Sequence, residues 1–115
     1  MTGKIPETNR AGVYQFVDLD DQVAYVGESS RLRGRLREHV KQFTSTIAGQ
    51  RRLDYWEIKS IRWWYVPEPQ EYPDGDPRED GEQQLLHASQ NTPYLNMGTG
   101  EAIDGPIDPA TPDGV

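Results

Sequence analysis

Residues 12–27 read GVYQFVDLDDQVAYVG, two runs of β-branched and aromatic residues separated by a short polar link. The first run, residues 12–18, predicts a strand, and the second run, Val23 to Gly27, predicts another. The link between them is rich in aspartate and predicts a turn. Two strands joined by so short a link favour an antiparallel hairpin.

The segment after the hairpin predicts an amphipathic helix over about residues 31–43. Its apolar residues recur at helical spacing, at Leu32, Leu36, Val40 and Phe43. Ser29 or Ser30 can cap the N-terminus of this helix. A second stripe, with a spacing of four residues, contains Arg31, Arg35 and His39.

The rest of the chain predicts one further strand and one further helix. Residues 58–66 read IKSIRWWYV and predict a strand that is apolar on both faces, so helices are expected to cover both faces of its sheet. Residues 81–91 predict a helix with Asp80 as its cap. Residues 46–57 are ambiguous, and we expect a short helix around residues 50–55.

The predicted order is β-β-α-(α)-β-α, an α/β domain of the α+β type with a three-stranded antiparallel sheet flanked by helices. We place this domain at residues 11–97. Residues 1–10 are polar and predict a flexible lead. Residues 98–115 are acidic and rich in glycine and proline, and they predict a tail without fixed structure.

Composition limits the classes of protein that this chain can be. Its 115 residues leave room for one domain. The absence of cysteine excludes disulfides and thiolate metal sites. No N-terminal apolar run resembles a signal peptide, and no apolar stretch reaches the 18 or so residues that span a bilayer. We therefore expect a cytoplasmic protein without a membrane partner.

The charge is divided unevenly along the chain. Residues 1–66 carry 11 basic and 8 acidic groups, whereas residues 67–115 carry 1 basic and 11 acidic groups, and the net charge is −7. The basic residues cluster on the first predicted helix, where they could contact the phosphates of DNA, although a solvated basic face is the simpler explanation for Arg33 and Arg37. These candidates for nucleic-acid binding are Arg31, Arg33, Arg35, Arg37 and Lys41. An acidic chain with nine arginines and three lysines is also typical of a high-salt cytoplasm.

Two charged residues fit the chemistry of phosphodiester hydrolysis. Glu82 shares a helix face with Leu85 and Leu86, so its carboxylate points toward the body of the protein. One such carboxylate with waters and phosphate oxygens suits a single Mg²⁺ or Mn²⁺ ion. The same residue could instead interact with the helix macrodipole. Arg35 offers a planar fork to phosphate oxygens, or it is one solvated arginine among four.

Aromatic and imidazole groups complete the candidate site. Tyr14 and Tyr25 lie on neighbouring predicted strands, where they could position an attacking water, although a strand tyrosine is commonly a core residue. If Tyr14 is a base, its pKa must fall below about 10, and Arg35 and a metal ion would lower it. His39 lies one turn from Arg35 and could relay a proton or hydrogen-bond a tyrosine, or it could be a surface residue.

The strings Gly12-Val13-Tyr14 and Tyr25-Val26-Gly27, followed by Arg35, His39, Glu82 and Asn96, resemble the GIY-YIG nuclease family. The resemblance implies the β-β-α-β-α fold over about residues 11–97. It implies that Tyr14 is a general base, that Arg35 binds phosphate and that Glu82 holds the metal ion. It also implies that Tyr25 and His39 belong to the site and that Asn96 closes it through hydrogen bonds.

Together these features predict a metal-dependent DNA endonuclease of the repair, recombination or mobile-element type. We expect one Mg²⁺ or Mn²⁺ ion and no small-molecule cofactor. Since one active site cuts one strand, a dimer or a partner subunit could assist target recognition. The alternative is a non-catalytic nucleic-acid-binding or regulatory module on the same fold, because the chain is acidic overall.

Overall fold

The fold begins with the hairpin that the sequence predicts. The computed structural model describes residues 5–42, 44–47, 51–54, 58–73, 75–88 and 101–115. Strands β1 (Gly12–Asp18) and β2 (Val23–Ser29) pair antiparallel. The buried Asp18 holds the turn, since its Oδ1 accepts hydrogen bonds from the backbone N–H groups of Asp20 at 2.9 Å and Gln22 at 3.0 Å. Asp21 has a φ of 60°, a left-handed conformation that aspartate tolerates better than most residues.

Helix α1 (Leu32–Gln42) is capped by the segment that precedes β1. Asn9 Oδ1 accepts a hydrogen bond from the Gly34 N–H at 3.1 Å. The Arg10 carbonyl accepts one from the Leu32 N–H at 2.8 Å. The expectation of a flexible lead over residues 1–10 is therefore wrong for residues 5–10, because unpaired N–H groups at the start of α1 need acceptors and this segment supplies them.

A second hairpin follows α1, where the sequence suggested a short helix. Strands β3 (Thr44–Ile47) and β4 (Arg51–Asp54) pair antiparallel with Thr44 opposite Asp54. The expected helix around residues 50–55 is therefore wrong over residues 51–54. The run TSTI contains three β-branched residues, which lose side-chain freedom in a helix and favour a strand.

Strand β5 (Ile58–Tyr65) completes a three-stranded antiparallel sheet in the order β2-β1-β5. All seven residues of the central strand β1 are buried. Alternate side chains point to opposite faces, and each face has its own core. One core lies against α1 and contains Tyr14, Phe16, Leu32, Leu36, Ile61 and Trp63. The other contains Val13, Val26, Trp64, Val66, Leu85 and Leu86. The predicted fold class is confirmed.

Helix α2 (Pro77–Ala88) supplies the leucines of the second core and begins four residues earlier than predicted. Asp76 caps it, since its Oδ1 accepts a hydrogen bond from the Arg78 N–H at 3.0 Å. Proline at the first helical position suits this start, because its missing N–H is not needed there. Asp80 is thus inside the helix, and Glu82 lies in its second turn. Gly81 seats the helix on the sheet, because a Cβ there would lie 3.2 Å from Val13.

Residues 101–115, which we call the C-terminal strap, pack along β5 and α2. The Trp63 N–H donates to the Gly114 carbonyl at 3.1 Å, and the Asp113 N–H donates to the Trp63 carbonyl at 2.8 Å. The Tyr65 N–H donates to Asp113 Oδ2 at 2.7 Å. The expectation of a tail without fixed structure is wrong for residues 101–115. The reason is that β5 is an edge strand whose free N–H and C=O groups need partners.

Removing residues 101–115 is expected to lower the free energy of unfolding by about 1–3 kcal/mol, because it leaves polar groups of β5 and α2 without their partners. Thermal unfolding followed by circular dichroism should show a Tm at least about 5 °C lower. Asp104→Ala, at an exposed position of the same segment, is the control and should leave Tm unchanged. A truncated protein with the wild-type Tm would show that the strap adds nothing to stability.

Candidate active site

Tyr14 lies at the centre of the candidate site, on the face of the sheet that α1 covers. Its side chain is almost fully buried, and its strand partner on β2 is Gly27. A Cβ on Gly27 would lie 2.5 Å from both the Cζ and the hydroxyl oxygen of Tyr14, and 2.9 Å from the Tyr25 ring. Glycine at this position therefore makes the space in which the Tyr14 hydroxyl lies, across the edge strand β2.

His39 of α1 meets this hydroxyl directly. The Tyr14 hydroxyl and His39 Nε2 are 3.0 Å apart. The imidazole packs edge-on against Phe16, with ring centroids 5.0 Å apart and an interplanar angle of 88°. The Tyr25 ring stacks on Phe16, with ring centroids 5.4 Å apart, and its centroid lies 6.0 Å from that of Tyr14. The structure thus brings together Tyr14, Tyr25 and His39 from three separate elements.

The environment keeps His39 neutral. Burial, and to a smaller extent the charge of Arg35, lower the pKa of the imidazole to about 4, and Glu38 acts in the opposite direction. At neutral pH one ring nitrogen therefore carries a hydrogen and the other accepts. In the tautomer protonated on Nδ1, the Tyr14 O–H donates its hydrogen bond to His39 Nε2.

The pKa of Tyr14 is raised, so Arg35 by itself does not bring it below the ordinary value of about 10. Burial is the main cause, and the neighbouring Tyr25 adds to it. The Arg35 guanidinium opposes the shift through hydrogen bonding and through its charge, but it does not outweigh burial. Since desolvation disfavours the charged form, Tyr14 remains a phenol at neutral pH.

Arg35 lies between the buried hydroxyl and solvent. Its guanidinium donates to Glu38 Oε2 at 3.2 Å, and its side chain is 45 % exposed. The interaction with Tyr14 is the first cause that raises the pKa of Arg35. An arginine that is exposed on one side and next to a tyrosine on the other can bind a phosphate while it keeps its contact with the tyrosine.

Glu82 approaches β2 from the opposite face of the sheet. Its carboxylate is half-buried, and burial raises its pKa, with further contributions from Glu28 and Glu79. Within the described part of the chain it has no hydrogen bond or ion pair. Tyr14 lies beside Gly27 and Glu82 lies near Glu28, the next residue of β2, so the two groups approach consecutive positions of one edge strand.

The donor set around Glu82 fits a divalent cation that keeps most of its water. No group of three or more metal-ligating side chains occurs among the described residues. Mg²⁺ needs no such cage, because it is commonly held by one or two carboxylates and by substrate phosphates. A half-buried carboxylate with raised pKa and further carboxylates nearby is an arrangement that a cation stabilises.

The other residues predicted to bind nucleic acid or to complete the site differ in their exposure and in their contacts. Arg31 and Arg37 are exposed on α1. Arg33 instead donates to the backbone carbonyls of Pro6 at 3.0 Å and Glu7 at 3.5 Å, so it fastens the N-terminal segment. The side chain of Lys41 and the whole of Asn96 lie outside the described residues.

Sequence reasoning missed an ion pair beside Glu82. Arg78 Nε lies 3.4 Å from Glu28 Oε2, and Arg78 also pairs with Asp76 at 3.5 Å. The sequence does single out Arg78, because it is the one arginine or lysine in the acidic stretch 67–115. Its partner could not be inferred, because the pair joins α2 to the end of β2 across 50 residues of chain.

The antiparallel β-β-α-β-α fold and the paired tyrosines place the protein in the GIY-YIG class, which has a nuclease-type fold. The family model of the UvrC-like GIY-YIG domain matches residues 10–68, and the chain belongs to this family. The match includes Tyr14, Tyr25, Arg35 and His39 and ends before Glu82. A comparison with curated proteins finds no match, and a comparison with solved structures finds none either.

No helix in the described part of the chain is long and apolar enough to cross a membrane.

Gly27→Ala is expected to destabilise the protein by about 1–3 kcal/mol, because the added methyl group overlaps Tyr14 and Tyr25. Gly34→Ala is the matched control. Its Cβ would meet only Asn9 Oδ1 at 3.9 Å, and replacing glycine within a helix should stabilise by about 0.5–1 kcal/mol. Urea denaturation measures both changes, and equal effects at the two glycines would contradict the close approach at Gly27.

The stability of the fold is expected to fall as the pH drops from about 6.5 to about 4. In this window the unfolded chain protonates His39 but the folded protein does not, so protons favour the unfolded state. His39→Gln should show a smaller loss of stability over the same window, and His87 is common to both proteins. Nuclear magnetic resonance titration should give His39 a pKa of about 4, and a value near 6.5 would contradict its burial.

Proposed function

We propose that this protein is a Mg²⁺- or Mn²⁺-dependent endonuclease that hydrolyses phosphodiester bonds of DNA. The observation that carries the proposal is the buried Tyr14 hydroxyl, held by neutral His39 and next to Arg35, at the edge strand that Glu82 approaches from the other face. Membership of the UvrC-like GIY-YIG family supports it.

Tyr14 and His39 act as a relay for the proton of the attacking water. The raised pKa of Tyr14 makes a free phenolate unfavourable at neutral pH. The phenol oxygen can instead accept a proton from water while its own proton passes to His39 Nε2, 3.0 Å away. The pair then acts as one general base, with the tyrosine as the group that touches the water and the histidine as the final acceptor.

Arg35 neutralises the charge that develops on the phosphoryl oxygens during the attack. A guanidinium stays protonated and presents several donors in one plane, so it can retain its contact with Tyr14 while it binds phosphate. The exposed Arg31 and Arg37 contact the DNA backbone along α1. Such contacts weaken as the salt concentration rises.

Glu82 is the residue that would hold the single metal ion. When bound, a divalent ion supplies Lewis-acid stabilisation to the phosphate and to the leaving oxygen. A bound cation would offset the unfavourable charge interactions of Glu82 with Glu28 and Glu79, which together with burial raise the pKa of its carboxyl.

Each active site cuts one strand, so cleavage of a duplex needs a second protein molecule or a second binding event. DNA is the proposed partner, and the reaction belongs to repair, recombination or mobile-element processes.

Tyr14→Phe is expected to reduce the single-turnover rate about 10²-fold or more while DNA affinity is kept, because it removes the hydroxyl from the relay and leaves the ring. Plasmid nicking with Mg²⁺ or Mn²⁺, in low and in molar salt, measures the rate. Glu82→Ala should abolish cleavage at every metal concentration. Tyr65→Phe is the control, since Tyr65 packs against the same core but is not placed in the site.

A Tyr14→Phe protein that cleaves at the wild-type rate would remove the hydroxyl from the mechanism. If the wild type and Glu82→Ala are equally inactive in all conditions, the enzyme proposal is wrong.

A non-catalytic nucleic-acid-binding module on the same fold is the second candidate. It is favoured by the excess of acid in residues 67–115, where 11 acidic groups accompany 1 basic group and would repel a DNA backbone near Glu82. DNA binding by the wild type without metal and without turnover would support it. Metal-dependent cleavage that needs Tyr14 and Glu82 would exclude it.

A further inference from the structure

Gln84 of α2 is a buried polar residue whose amide is fully used by the C-terminal strap. Its side chain is 3 % exposed. Its Nε2 donates to the carbonyls of Ile103 at 3.1 Å and Ile107 at 3.0 Å, and its Oε1 accepts from the Ile107 N–H at 2.9 Å. A glutamine with three backbone hydrogen bonds to one segment fixes that segment relative to its own helix.

The strap is shaped to receive this side chain. Gly105 lies so close to Gln84 that a Cβ at position 105 would overlap the glutamine amide. Next to it, Ile107 packs against the second core, and the Trp64 indole N–H donates to the Asp108 carbonyl at 2.8 Å. The strap therefore covers the part of the sheet that lies beside α2. It contacts both α2 and β5.

Glu82 and Gln84 leave α2 in nearly opposite directions. An α-helix turns about 100° per residue, so two residues correspond to about 200°. Glu82 is on the side of β2, near Glu28, and Gln84 is on the side of the strap. Any rotation of α2 about its axis would move both side chains together.

We propose that Gln84 and strap residues 103–108 set the rotation of α2 and thereby hold the Glu82 carboxylate in its metal-binding position. Gln84 is a positioning residue, since its amide is bonded to the strap and it acts on Glu82 through the helix. This inference rests on the proposed function only in taking Glu82 as the metal-binding residue.

The test compares three variants of the full chain. Gln84→Met removes the amide and keeps the length of the side chain. Gly105→Ala pushes the strap from Gln84 while the glutamine itself is retained. Gln83→Met makes the same replacement at the exposed neighbouring position and is the control. Mn²⁺ binding is measured by electron paramagnetic resonance of free Mn²⁺, and cleavage is measured as a function of Mn²⁺ concentration.

Gln84→Met and Gly105→Ala should each raise the Kd for Mn²⁺ about tenfold, in the range known for partners that orient a metal ligand. Cleavage at saturating Mn²⁺ should approach the wild-type rate, because the ligand itself is present. Gln83→Met should change neither quantity. A general loss of stability would instead lower the amount of active protein without changing the Kd of the folded fraction.

Amide hydrogen exchange at Ile107 reports whether the strap is released. If exchange at Ile107 becomes faster in Gln84→Met or Gly105→Ala while the Mn²⁺ Kd is unchanged, the inference is overturned. If Mn²⁺ binds through Glu82 but no DNA is cleaved, the proposed function fails, and the Kd values still decide the role of Gln84. If Gln84→Met does not fold, Gly105→Ala alone supports or overturns the inference.

Discussion

The burial of β1 on both faces is the constraint on which the rest of this structure depends. All seven of its residues are buried, so each face of a three-stranded sheet must be covered in a chain of only 115 residues. Helix α1 covers one face. On the other face α2 alone is too narrow, and the C-terminal strap covers the remainder over Trp64. The strap also pairs with the edge of β5, whose free backbone N–H and C=O groups could otherwise form hydrogen bonds with a strand of another chain.

The same constraint places the candidate site at the edge strand β2. Tyr14 belongs to the face of α1 and Glu82 to the face of α2, so they cannot meet through the sheet. They approach it instead at consecutive residues of β2, where Gly27 gives the tyrosine hydroxyl its space and Glu28 lies near the glutamate. The site is thus an edge feature, built from two layers whose relative position depends on how each helix is seated on β1.

Burial has opposite consequences for the two partners of the Tyr14–His39 hydrogen bond. It raises the pKa of the phenol and lowers the pKa of the imidazole, since each neutral form is favoured away from water. A protonated tyrosine and an unprotonated histidine at 3.0 Å are suited to passing one proton along. Burial makes an isolated tyrosinate at this position energetically unfavourable, even next to an arginine.

What the sequence determined by itself is local and periodic. The runs of β-branched and aromatic residues in 12–27 and 58–66 specify the strands, and the four-residue spacing of Arg35 and His39 places them on one side of α1. The sequence thus predicts the position of a side chain when that position depends on residues nearby in the chain. Tertiary structure decided what depends on contacts between distant segments: the sign of the Tyr14 pKa shift, the role of Asn9 as a cap for α1, the Arg78–Glu28 pair, and the docking of the strap on Gln84. Each of these follows from burial or from an unpaired polar group that finds its partner far along the chain, and neither is visible in spacing or composition.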